Sequence, residues 1–232
     1  MRNLIFAGLA LSLSSSIVFA QGDANGYDPK AKTILDEVSK TAKAYTSITA
    51  TFTMTMEKAD KSKDVHEGEV VMKGKKYKIT LNRKIKDKVW KEIYINNSAT
   101  TWNYSEKECE ITIDNAPDPA KAKNNFAPTD IFTIHEKGFK YKFVKEEVQG
   151  GKTVQLIDLF PEQADKKNYH TVKVVIDKAK KQIISATFLN KDGSKTIYAV
   201  KTFTSNLEVA DATFIMEPGK QFPKCEIVDL RE

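Results

Sequence analysis

Ile48-Thr49-Ala50-Thr51-Phe52-Thr53-Met54-Thr55-Met56-Glu57 is the stretch that decides the fold class. Apolar side chains hold every even position. Threonine or glutamate holds every odd one. Successive strand residues point to opposite faces, so this is a strand with one dry face and one wet face.

The same period continues outward. Asp60 to Asp64 is a charged hairpin loop, and Glu67 to Lys73 is the returning strand. Tyr77, Ile79 and Leu81 alternate with Lys76, Lys78, Thr80 and Asn82. Trp90 to Ile95 and Thr100 to Tyr104 follow, joined by Asn96-Asn97-Ser98. Cys109, Ile111 and Ile113 alternate with Glu108, Glu110, Thr112 and Asp114, which completes a meander of six strands. Asn115 to Pro128, with Pro117 and Pro119, breaks the pattern. Thr129 can then cap a short helix through Ile131, Phe132 and Ile134, ending at Gly138.

Strands resume at Phe139, Tyr141 and Phe143, and again at Val154 to Leu159 and His170 to Asp177. Ile183 to Leu189 and Thr196 to Phe203 form a hairpin about Lys191-Asp192-Gly193-Ser194, where Asp-Gly signals the turn. A last strand is expected at Ala212 to Met216, before a tail that contains Cys225. Upstream, Asp28-Pro29 reads as an N-cap with proline at the first helical position. Ala31, Ile34, Leu35, Val38, Ala42 and Tyr45 recur at helical spacing behind it. The expectation is about eleven antiparallel strands, mainly β with α. They form an incomplete, open barrel whose apolar face is covered by two or three short helices. A two-sheet sandwich is the alternative.

Met1-Arg2-Asn3, the apolar stretch to Phe19 and the Val18-Phe19-Ala20 site read as a signal peptide over residues 1–20. Four serines and a short apolar run argue against a membrane anchor. Residues 21–232 are then expected to be one exported, soluble domain. The chain is 41% hydrophobic, enough for a core, and carries a formal charge of +6. Its arginines are only Arg2, Arg83 and Arg231. Phosphate and base-edge recognition favours the guanidinium fork, so a lysine surface speaks against nucleic acid. Cys109 and Cys225 are a disulfide candidate in an oxidising compartment, against two small buried residues.

No catalytic constellation appears. The three histidines, His66, His135 and His170, lack zinc-protease spacing, and no G-x-S-x-G elbow occurs. His66, beside a turn, reads as solvated. Gly150-Gly151-Lys152-Thr153 precedes a strand rather than a helix, so it reads as a hairpin turn. No metal and no cofactor is expected. The remaining feature is the apolar face of the first six strands: Phe52, Met54, Met56, Tyr77, Ile79, Leu81, Ile93, Ile95, Trp102, Tyr104, Ile111 and Ile113. From composition it is either a dry core or a cavity lining.

The order of elements resembles the periplasmic outer-membrane lipoprotein carrier (LolA) family. The resemblance runs from the helix ending near Tyr45 through Ser47 to Thr53, Glu67-Gly68-Glu69 and Thr101-Trp102-Asn103-Tyr104. It continues through Pro128, Leu159-Phe160-Pro161, Asp192-Gly193 with Thr196, and Phe214 before Pro218-Gly219. It implies a carrier that is not an enzyme. Acylated lipoproteins are the implied cargo, an inner-membrane ABC-type release complex the donor, and an outer-membrane acceptor of unknown identity the destination. A monomer is the expected form. It makes the twelve apolar residues cavity candidates, and Ile34, Leu35, Val38, Ile131 and Phe132 lid candidates. The chain departs from the family at Gly74, where many members carry an arginine that holds the lid. Two alternatives stand: a lipid-sensing envelope regulator or carrier of another amphiphile on this fold, and an exported hydrolase.

Overall fold

Asp28 starts the first helix as its sequence position predicts. Its Oδ1 accepts from the backbone N–H of Lys30 and Ala31 at 2.8 and 3.2 Å, satisfying donors that the first helical turn leaves free. Its Oδ2 accepts from Phe143 N at 3.0 Å, so the cap also docks the helix on the sheet. Helix α1 spans Pro29–Lys43 and buries Ala31, Ile34, Leu35 and Val38. The computed structural model describes residues 26–116, 134–136 and 138–231. The signal-peptide residues and the lid candidates Ile131 and Phe132 lie outside them.

The described strands are β1 Ile48–Glu57, β2 Lys63–Lys73, β3 Lys76–Ile85, β4 Lys88–Asn96, β5 Thr100–Ser105, β6 Glu110–Asn115, β7 Phe139–Gln149, β8 Lys152–Pro161, β9 Tyr169–Asp177, β10 Gln182–Asn190, β11 Lys195–Ser205 and β12 Glu226–Asp229. They form one sheet of 12 strands, ordered β12-β6-β5-β4-β3-β2-β1-β11-β10-β9-β8-β7. Its edges, β12 and β7, do not pair, so the sheet is open, and the sandwich alternative is set aside. Every pairing is antiparallel except β12 with β6.

The C-terminal region departs from the sequence expectation. Ala212 to Met216 is not a strand. Asp211–Phe214 is a 3₁₀ turn that buries Phe214 completely. After it, α2 (Pro218–Gln221) leads to β12, a four-residue parallel edge strand. An apolar-polar-apolar triplet around Phe214 mimics strand alternation, whereas the turn uses the same residues to plug a core. Cys109 and Cys225 are bonded, with S–S 2.03 Å, and this fixes the tail beside β6.

The sheet has two cores, on opposite faces. On the helix face, α1 and Ile134 cover Phe139, Tyr141, Ile157, Leu159, Val172, Val174, Ile176, Ile183 and Ala186 from β7 to β10. On the tail face, Phe214 and Met216 pack with Ile95, Trp102, Tyr104, Ile111 and Ile113 of β4 to β6. Phe222 stacks on Tyr104 with ring centroids 3.9 Å apart. Lys73 holds this segment from the tail face, donating to Val209 O at 2.9 Å and Asp211 Oδ1 at 3.0 Å. Full burial of side chains such as Leu35 or Ile111 stabilises each core by about 1.5–3 kcal/mol apiece.

Candidate functional site

Residues directly opposite in an antiparallel pair share a face, so the register sorts the apolar positions. Val200 of β11, Phe52 of β1, Gly68 of β2, Leu81 of β3 and Glu92 of β4 form one row. Phe203, Ala50, Val70, Ile79 and Tyr94 form the next. Tyr198, Met54 and His66 form the row on the other side of Phe52. All of these lie on the helix face.

The register divides the twelve cavity candidates into two sets. Phe52, Met54, Met56, Tyr77, Ile79 and Leu81 lie on the helix face. Thr80, not Leu81 or Ile79, pairs with Ile93, and Ile95 pairs with Lys78. Ile93, Ile95, Trp102, Tyr104, Ile111 and Ile113 therefore lie on the tail face, packed with Phe214, Met216, Phe222 and Cys225. The lid candidates Ile34, Leu35 and Val38 close the β7 to β10 core and sit beside the candidate strip rather than over it.

The strip itself spans β11, β1, β2 and β3 on the helix face and continues onto β4 and β10. It stays partly open to solvent. Met56, Tyr94 and Tyr198 are 40%, 36% and 37% exposed, and Phe52, Val70, Ile79, Phe188 and Val200 are half-buried. Aromatic contacts link it to the helix-covered core: Phe52 to Tyr198, Tyr198 to Phe188, Phe188 to Tyr169, and Tyr169 to Phe139. The Phe52 ring lies directly over Gly68. A Cβ on Gly68 would come 2.3 Å from the Phe52 Cζ, so the absent side chain is what lets the ring lie across β2.

Gly74 sits in the β2–β3 turn at φ +59°, a left-handed conformation suited to glycine, and a Cβ there would meet nothing within 4 Å. The arginine on the helix face is Arg83, opposite Trp90 at the hairpin end of the strip.

His66 is not solvated as the sequence suggested. It is 4% exposed, because it occupies an inward position of β2 opposite Met54, and its Nδ1 accepts from Lys84 N at 3.2 Å. Burial, then the charge of Arg83, pushes its pKa down. Tyr94 donates to Glu92 Oε2 at 2.8 Å. Burial, then this hydrogen bond, pushes its pKa up to about 12. A phenol proton held more tightly in the folded chain stabilises the fold below the ordinary value of about 10. That contribution is lost as pH rises from about 10 to about 12. Urea midpoints across this window are expected to fall less steeply in Tyr94→Phe than in the wild type. Equal slopes would refute the assignment.

Val70, Tyr94, Phe188, Tyr198, Val200 and Arg83 are strip residues that the sequence reading did not single out. A bulge in β11 opposite Thr51 and Phe52 shifts the register, so Tyr198 and Val200 are out of phase with Phe203. Among the described residues, no group of three or more His, Cys, Asp or Glu could hold a metal ion. No helix there is long and apolar enough to cross a membrane.

No family model matches the chain, and no curated protein matches it. Solved structures do. An uncharacterized conserved protein from Thermus thermophilus superposes with a TM-score of 0.56 at 14% identity, covering 86% of this chain and 99% of that one. A putative outer membrane lipoprotein-sorting protein domain from Vibrio parahaemolyticus matches at TM-score 0.45 and 14% identity, covering 80% and 96%. A LolA superfamily protein from Nitrosomonas europaea matches at TM-score 0.40 and 9% identity, covering 80% and 97%. The two looser overlaps carry no argument; the first shows a shared fold and nothing finer. An open, mainly antiparallel sheet with a helix on one face, as expected from the sequence, is the fold of this chain.

Proposed function

We propose that the protein is a periplasmic carrier that shelters acyl chains of lipoproteins on the helix face of β11, β1, β2 and β3. It moves them from an inner-membrane ABC-type release complex toward an outer-membrane acceptor. The observation that supports this is the partly exposed apolar strip. Monomeric soluble proteins rarely leave a contiguous apolar patch without a use for it. Each methylene moved out of water onto such a surface contributes about 0.8 kcal/mol. An apolar strip with few polar partners binds by area and not by shape, which suits a carrier that must release its cargo. Nothing in this reading requires a reaction to be catalysed.

The test is lipoprotein release. Membrane vesicles loaded with acylated lipoprotein and the release complex are incubated with purified protein. Lipoprotein is expected in the soluble fraction as a complex with the protein, and mass spectrometry should find acyl chains on protein isolated from the envelope. Protein that recovers no lipoprotein and carries no acylated molecule would sink the proposal.

A further inference from the structure

We infer that Arg83 anchors an anionic headgroup, a phosphate or a carboxylate, at the hairpin end of the apolar strip. This rests on the strip holding acyl chains. Arg83 lies two positions beyond Leu81 along β3, and the β2–β3 register, which ends at Glu67 opposite Asn82, points it toward His66, the residue opposite Met54. A chain that lies over Phe52 and turns along the strands toward Met54 and His66 therefore brings its end group to the guanidinium. Among the described residues the other arginine, Arg231, is committed to Asp229, with Nη2 to Oδ2 at 2.5 Å.

Arg83 is incompletely satisfied. Its Nε lies 3.3 Å from Glu92 Oε2 but is a buried donor without a hydrogen bond. Distance and alignment disagree here, and alignment decides: the pair has a charge attraction without the directed bond. Glu92 Oε2 already accepts from the Tyr94 hydroxyl. The Arg83 side chain is 37% exposed, so the guanidinium combines a buried unpaired donor with access to the open face. Arginine's planar fork matches the oxygens of carboxylate and phosphate. A headgroup oxygen would meet the exposed end of this fork, while Nε stays behind it facing Glu92.

Equilibrium dialysis of lipid-free protein with palmitate and with hexadecanol, which share one chain length, tests the anchor. The wild type is expected to bind palmitate about tenfold tighter, the effect of one charge-assisted contact. Arg83→Gln is expected to bind both at the hexadecanol affinity. Glu92→Gln, which removes the competing carboxylate, is expected to bind palmitate several-fold tighter than the wild type. Equal binding of both probes by the wild type overturns the anchor and leaves the acyl strip standing. Discrimination that persists in Arg83→Gln also overturns it. Binding of neither probe overturns both readings. If melting curves show that Arg83→Gln does not fold, Glu92→Gln decides, and unchanged palmitate affinity is the overturning result. Inorganic phosphate that binds as tightly as palmitate would make this a free-anion site and overturn the headgroup role.

Discussion

Ile111→Glu is expected to leave no folded protein, while Phe52→Glu is expected to fold and lose its cargo. Both positions look alike in sequence, each an apolar residue in an alternating strand. The register separates them. Ile111 is fully buried on the tail face against Phe214 and its neighbours. A glutamate there has no water and no described cationic partner in that cluster. Full burial raises a carboxyl pKa by about 3–5 units, equivalent to about 4–7 kcal/mol. That rivals the total stability of a domain, about 5–15 kcal/mol. Phe52 is half-buried over Gly68 in a row open to solvent, so its glutamate can reach water. The fold should lose about 1–2 kcal/mol from the missing ring. Acyl-chain affinity should fall about tenfold or more, because a carboxylate would stand against the chain. Circular dichroism melting and acyl binding, measured on both variants, give the answer. A folded Ile111→Glu, or a Phe52→Glu that binds as the wild type does, would contradict the division of faces.

Loss of the Cys109–Cys225 bond is the second large effect. The bond closes a loop of 116 residues. In the chain-entropy model a loop of that size is worth about 4–5 kcal/mol. For a chain of this length each kcal/mol moves Tm by about 2–4 °C, so the Cys109→Ala/Cys225→Ala variant should melt about 10–20 °C lower. Reduction of the wild type should reproduce the drop. The bond also positions β12, whose four residues alone are a weak strand, and the Phe222 ring against Tyr104. Peptide-level hydrogen exchange in the variant should rise first in residues 222–230. Melting that is indifferent to reduction would show that the bond contributes little.

The sequence made the elements legible and left their sides obscure. Asp28-Pro29 and the Ala31, Ile34, Leu35, Val38 spacing mark α1 because capping and helical period are local. The Ile48 to Glu57 alternation marks β1 for the same reason. Alternation says that each strand has an apolar face, but not that neighbouring strands turn it the same way. Leu81 pairs with Glu92 because a two-residue turn joins Ile85 to Lys88, and that turn puts Ile93 in opposite phase. Lys86 at φ +55° makes the turn without glycine, so the usual composition signal is absent. β12 escaped notice because Glu226–Asp229 is short and takes its partner, β6, from more than 100 residues upstream. The resemblance to lipoprotein carriers supplied the architecture. It could not place Arg83, which stands on β3 and not in the turn that holds Gly74.

The pairing of β1 with β11 has a consequence for how the molecule assembles. Along β1 to β6, and again along β7 to β11, each strand pairs with its successor in the chain. The seam between these two meanders joins residues such as Thr51 and Thr202, 151 positions apart. Local pairings close cheaply and early, while distant ones must first meet the entropy of a long loop. Phe52 and Tyr198 touch across that seam. The apolar strip is thus the product of the most distant closure, and a chain in which both meanders had formed but this seam had not would hold two sheets and no continuous strip.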